Sequence, residues 1–199
     1  MSNISMSLVG MLYNIQLLKY AGENGVAAYG VMMYVSMIFA AAFVGYSIGT
    51  APIIGYHDGA GNHEELKGLL KKSLIMIGVF GAVTVISGEL PAMLLAQLFT
   101  GYDPALTELT VSGFRVFALS FICMGYAIYG SSFLTALNDG VTSAIISFLR
   151  TPVFRMTAVM LLPLVWGVDG VWISVAAAEF MAMALSFLFM SIKRKKYHY

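Results

Sequence analysis

With 199 residues, 59% of them hydrophobic and only 11% charged, this chain is too apolar to cover a water-exposed surface, since soluble domains carry about 25% charged residues. Its mean hydropathy of +0.83 excludes a soluble globular domain and points to lipid as the solvent. The net charge of +1 says nothing of nucleic-acid partners, and the lone Cys123 excludes an internal disulfide or a thiolate metal cluster.

A membrane-spanning helix takes about 20 residues, so six spans with short connections fill the chain. The expected fold is all-α, a polytopic transmembrane bundle of about six helices forming a single unit over residues 1–192. The first span covers 1–18. No basic residue precedes Lys19, so this run does not read as a secretory signal, and the chain is expected to begin at or inside a helix. A Gly-bearing turn at Lys19–Gly25 leads to the second span, 28–56, which is uncharged and carries Gly45, Gly49, Pro52 and Gly55. The polar segment His57–Lys72 follows, and its part from Asn62 to Lys72 reads as a short amphipathic surface helix. The third span, 73–98, contains Glu89 and Pro91. A turn through Gly101, Asp103 and Pro104 leads to the fourth span, 109–137, with Arg115 near its start. Asn138-Asp139-Gly140 is a tight turn. The fifth span, 141–165, holds Arg150, Pro152 and Arg155. A turn at Trp166–Gly170 opens the sixth span, 171–192, interrupted only by Glu179. A basic tail, 193–199, ends the chain.

Basic residues set the orientation. The loop with Lys67, Lys71 and Lys72 and the tail with Lys193, Arg194, Lys195 and Lys196 belong on the cytoplasmic side. Loops on the other side carry Glu23, Asp103, Glu108 and Asp169 against Lys19 alone. Six crossings then leave both termini in the cytoplasm. Trp166, Trp172 and Tyr102 fit an aromatic belt at the outer interface.

Enzyme chemistry finds no support. No His falls within an expected span, which excludes a Ser–His or His-Glu-x-x-His intramembrane protease. No Gly-rich phosphate loop followed by Lys is present, and no metal site is expected. What remains are charges at lipid depth, each costing roughly 2.5–3.5 kcal/mol on insertion scales unless paired or hydrated. Glu179, flanked by Ala176, Ala177, Ala178 and Ala182, is the sharpest case. It reads either as a carboxylate that binds a proton or cation in a central cavity, or as a structural partner of Arg150 or Arg155. These two arginines are five residues apart and should point in rather different directions, Arg150 reaching towards the cytoplasmic interface. Tyr126 is an aromatic candidate for the substrate site. Glu89 and Arg115 could close an outer vestibule or simply sit at the interface. Gly45 and Gly49 read as a close-packing helix face, and Pro52, Pro152 and Pro163 as kinks. The 14 Met, 13 Phe and 11 Tyr are compatible with an adaptable apolar cavity.

Several strings are familiar in order and spacing: Ala27-Ala28-Tyr29-Gly30, the run Gly45-Tyr46-Ser47-Ile48-Gly49-Thr50-Ala51-Pro52, and Gly59-Ala60-Gly61-Asn62. Phe133-Leu134-Thr135-Ala136-Leu137-Asn138-Asp139-Gly140, Ser147-Phe148-Leu149-Arg150, Gly170-Val171-Trp172 and Ala178-Glu179 follow. Along essentially its whole length the chain resembles the C-terminal six-helix lobe of the MATE (multidrug and toxic compound extrusion) family, bacterial type. The resemblance implies a plasma-membrane protein of twelve helices in two lobes that rock to give alternating access. It implies exchange of Na⁺ or H⁺ for organic cations, with no cofactor beyond the coupling ion. The partners implied are organic cations, membrane lipids, and either a missing N-terminal lobe or a second copy of the chain. Second-lobe acids used by some family members are absent from 109–137 and from the first span, so Glu179 is the remaining ionisable candidate. Two alternatives stay open: a flippase for lipid-linked substrates, which would favour a more basic cavity than Arg115, Arg150 and Arg155 supply, and a half-transporter without activity.

Overall fold

A computed structural model describes the backbone of residues 2–100 and 104–199, and the side chains of 4–86, 104 and 106–199. The described residues form helices: α1 (Ser2–Gly59), α2 (His63–Thr100), α3 (Pro104–Ala136), α4 (Gly140–Phe148), a π-helical segment (Leu149–Arg155), α5 (Met156–Leu161) and α6 (Pro163–Tyr197). Glu89, Pro91, Tyr102 and Asp103 lie outside the described side chains.

α1 contains 58 residues and would measure about 87 Å if straight, nearly three times the hydrocarbon thickness of about 30 Å. It is instead a hairpin. Gly22 has φ +64° and ψ −155°, a conformation open to glycine and strained for other residues. Tyr13 and Tyr29 stack with ring centroids 5.1 Å apart, whereas an unbroken helix would separate them by about 24 Å. α6 turns back in the same way at Gly167, φ +57° and ψ −129°. With these two reversals the helices make six lengths, as the composition requires. α4, the π segment and α5 together form the fifth.

α3 is the central element, packed against α1, α2 and α6. Apolar burial barely distinguishes protein from lipid, so close packing has to hold such helices together. Small residues on α3 provide it. A methyl group at Gly113 would lie 2.6 Å from Met32 Cε, and one at Gly125 2.5 Å from the Phe43 ring. Several buried hydroxyls are satisfied within their own helix, as a dry interior favours: Ser47 donates to the Phe43 carbonyl, Thr84 to Gly81, Thr110 to Leu106 and Ser120 to Phe117. The outer surface is apolar, with Ile86, Val165 and Leu164 all largely exposed. The chain is a multi-pass membrane protein.

Several expectations need correction. The stretch from Asn62 to Lys72 is not a separate surface helix. Asn62 caps α2, its Oδ1 accepting from the Glu65 N–H at 3.3 Å, and the helix continues unbroken past Ser73 because no residue there terminates it. Gly45 and Gly49 do not form a packing face within this chain, since a Cβ at either would meet nothing within 4 Å. The inward face of that arm is Phe43, Ser47, Thr50 and Ile54, and the two glycines lie on the other side. Gly22 is the non-helical residue within α1, so Pro52 does not break it. Trp172 is 1% exposed and belongs to the core beside Gly113, whereas Trp166 remains exposed. The first residues of the basic tail, 193–197, are the last turns of α6.

The tail is anchored to the α3–α4 turn. Asp139 caps α4, its Oδ1 accepting from Thr142 Oγ1 at 2.8 Å and from the Thr142 N–H at 3.3 Å, and Lys193 Nζ lies 2.8 Å from its Oδ2. The Lys193 ammonium, aided by Thr142 and opposed by burial, holds this carboxyl at about 2, below its ordinary 3.8. A depressed native pKa stabilises the fold above the unfolded value, and the contribution is lost as pH falls from about 4 towards 2. Asp139→Asn should therefore show a weaker loss of thermal stability over that pH interval than the parent chain in detergent. Asp139→Ala should cost about 1–2 kcal/mol at neutral pH.

Candidate functional site

Among the described residues, three ionisable groups at membrane depth, Glu179, Arg150 and Arg155, converge on one point. Glu179 lies twelve residues beyond the Gly167 reversal, about 18 Å along the helix and so near the middle of a bilayer core. It is 1% exposed. Arg150 engages it as a fork, Nε to Oε2 at 3.0 Å and Nη2 to Oε1 at 3.1 Å, the bidentate arrangement in which guanidinium pairs most strongly. Arg155 donates through Nη2 to the same Oε1.

The two arginines do not diverge as their spacing suggests for an α-helix. There, five residues advance about 500°, leaving the side chains roughly 140° apart. Both lie within the π-helical segment Leu149–Arg155, where residue i+5 comes round over residue i. Pro152 sits inside this segment. Its ring has no N–H to donate and would clash with the carbonyl four residues back in α geometry. Widening the turn accommodates the proline, and the same distortion places both guanidinium groups on Glu179.

The cluster borders a cavity of about 230 Å³. Arg150 and Arg155 line it together with Tyr13, Tyr29, Met33 and Met37, while Glu179 is buried behind them. The Ser174 hydroxyl donates to the Val171 carbonyl at 2.6 Å. Tyr13 must therefore be the donor in its 2.9 Å bond to Ser174 Oγ, which ties the α1 hairpin to α6. A larger hollow of about 790 Å³ lies along the Gly22 hairpin, lined by Gly10, Met11, Asn14 and Val26 with Glu23. It is a broad apolar groove away from the charge cluster, and the smaller cavity is the candidate site.

Of the residues singled out from the sequence, Glu179, Arg150 and Arg155 meet. Tyr126 does not join them. It stands beside Gly78 with its ring 5.4 Å from Phe187. Arg115 is exposed, and Glu89 lies outside the described side chains. Sequence reasoning missed Tyr13, Tyr29 and Ser174. The first two carry a legible signal, since they fall nine residues before and seven after Gly22, where a hairpin brings them opposite each other.

A helical membrane bundle with a mid-depth cavity and a buried charge cluster has the build of a transporter half rather than an enzyme. The MatE family profile matches residues 1–161, and the chain belongs to that family, whose members are transporters. No curated protein matches the chain. Solved structures do. A multidrug resistance MATE family transporter of the MOP superfamily, in an outward-facing conformation, superposes with a TM-score of 0.90 at 22% identity, over 99% of this chain and 44% of that one. A MOP superfamily transporter from Pyrococcus furiosus, described as having a binding pocket of reverse polarity that suggests a different function, gives 0.89 at 21%, over 100% and 45%. The Vibrio cholerae MATE transporter VcmN in its bent form gives 0.89 at 19%, over 98% and 44%. These likenesses support the fold, and the chain spans under half the length of the proteins it matches.

Proposed function

We propose that this chain is the C-terminal six-helix half of a cation-coupled multidrug antiporter of the plasma membrane, with both ends in the cytoplasm. It works by alternating access with an N-terminal lobe or a second copy, exchanging Na⁺ or H⁺ for amphipathic organic cations. The supporting observation is the mid-depth cavity lined by stacked Tyr13 and Tyr29 and by Met33 and Met37. Aromatic faces attract organic cations by roughly 0.5–2 kcal/mol each, and Met adapts to varied shapes.

The charge cluster favours a second reading of the substrate. Two guanidinium groups face one carboxylate, leaving an excess positive charge beside the cavity, and Glu179 is already engaged by both. A substrate carrying a carboxylate or sulfonate would be better matched to Arg155 than a cation. The pocket polarity described for the Pyrococcus furiosus transporter offers a parallel.

Export of two dyes of matched size, one a lipophilic cation and one bearing a carboxylate, separates the two readings in cells expressing the protein from its own locus. The multidrug cation reading expects efflux of the cationic dye that stops when the Na⁺ and H⁺ gradients are collapsed, and little effect of Arg155→Gln. The anionic reading expects efflux of the carboxylate dye, reduced about tenfold by Arg155→Gln. Absence of gradient-dependent efflux of either dye overturns both.

A further inference from the structure

A second cavity, remote from the charge cluster, has the shape and polarity of a lipid site. α2 and α6 both pack on α3, yet among the described residues they make little direct contact with each other. Between them runs a groove of about 390 Å³. Its lining is ordered from end to end. Lys67 and Lys71 stand one helical turn apart on α2 and therefore on one face. Arg194 meets them from α6, with Ser191 one turn deeper. Further from the helix ends the lining is Leu74 and Ile75 on α2 and Phe187 on α6. Because the helices are antiparallel, both contribute cations at one end and apolar side chains at the other.

No carboxylate side chain lines this groove. The nearby acid Asp139 is already engaged by Lys193. Arg194 gives its Nε–H to the Tyr199 main-chain oxygen at 2.9 Å, which holds the guanidinium at the mouth. Lys67 and Lys71 are exposed there. Deeper in, Ile75 is 57% exposed and Phe187 36% exposed, on a surface that faces hydrocarbon. Three cations above an apolar floor that opens to the bilayer match a phosphate carried on an acyl chain. A free phosphate would leave the floor unused, and an acidic peptide would bring its backbone to hydrocarbon depth unsatisfied.

We infer that this groove binds an anionic phospholipid, with the headgroup phosphate between Lys67, Lys71 and Arg194 and an acyl chain along Leu74, Ile75 and Phe187. The site does not depend on what the protein transports. The His63 and His198 rings lie 5.2 Å apart at the helix ends, and bound lipid would bridge α2 to α6 along the groove that separates them beyond that contact.

Native mass spectrometry of the purified chain, titrated with phosphatidylglycerol or phosphatidylethanolamine of matched acyl composition, provides the test. The expected result is one tightly retained phosphatidylglycerol, preferred at least tenfold over phosphatidylethanolamine. The triple variant Lys67→Gln, Lys71→Gln, Arg194→Gln should lose that preference at least fivefold while keeping its helical circular dichroism. Should that variant fail to fold, the parent chain still decides, because its phosphatidylglycerol binding should weaken at least fivefold between low and high salt. Equal retention of the two lipids, or a preference insensitive to salt, overturns the inference. Displacement of the lipid by inorganic phosphate at equal concentration also overturns it, since the site would then be for phosphate alone.

Discussion

Glu179→Gln is expected to destabilise the chain by up to about 3–5 kcal/mol, because it leaves two partly buried guanidinium groups at membrane depth without a counter-charge. That is a large share of the 5–15 kcal/mol typical of a folded domain, so the amount of protein recovered from membranes should fall sharply. The design of the cluster allows a rescue. Adding Arg155→Met removes one of the stranded cations and fills its volume with an apolar side chain, leaving Arg150 opposite an uncharged amide. The double variant should recover a substantial part of the lost thermal stability in detergent. The single variant Arg155→Met, which keeps the Arg150 fork on Glu179 at 3.0 and 3.1 Å, should be tolerated better than Glu179→Gln. A Glu179→Gln protein that melts with the parent yet no longer exports would mean that the carboxylate serves coupling directly and that the cluster is not a clamp between the fifth and sixth helices.

The distribution of apolar runs and charged turns is a one-dimensional property, and the fold follows from it closely. The bilayer fixes how long each run must be, and Gly22, Gly61, Asp139 and Gly167 mark the reversals by chemistry that needs no tertiary information. The face that each helix turns inward is less legible. In water, the apolar face is the buried one. In lipid both faces are apolar, so Gly45 and Gly49 look like a packing surface although Phe43, Ser47 and Thr50 are the inward residues. The meeting of Glu179 with the arginines is half legible. A buried acid needs a cation, and two stood in the neighbouring span. That both converge depends on the wide turn around Pro152, which a proline announces as a distortion without specifying its geometry. Tyr13 and Tyr29 depend on where the hairpin closes, and a shift of two residues in that turn would separate them.

Gly170→Ala is expected to cost about 3 kcal/mol, the upper part of the range for overpacking, because the contacts awaiting the new methyl group are main-chain atoms. A Cβ at Gly170 would lie 2.5 Å from the Leu162 carbonyl oxygen, 2.7 Å from its carbon and 2.8 Å from Pro163 Cα. A side chain can swing aside, as the Phe43 ring opposite Gly125 could. The Leu162 carbonyl cannot, since it already accepts hydrogen bonds from the Val165 and Trp166 N–H groups, each at 3.1 Å. Relief therefore requires opening the reversal between α5 and the long arm of α6. Glu179 stands nine residues along that arm, about 13.5 Å from Gly170, so tilting the arm would draw the carboxylate away from the forked grip of Arg150 and convert a local clash into loss of the buried ion pairs. Gly45→Ala provides the matched comparison, because a Cβ there meets nothing within 4 Å and the change should stay within about 0.5 kcal/mol. Thermal melts in detergent of the two variants side by side check the argument. Equal melting temperatures would show that the hairpin is loose enough to absorb a methyl group, and that the position of Glu179 is not governed by the α5–α6 turn.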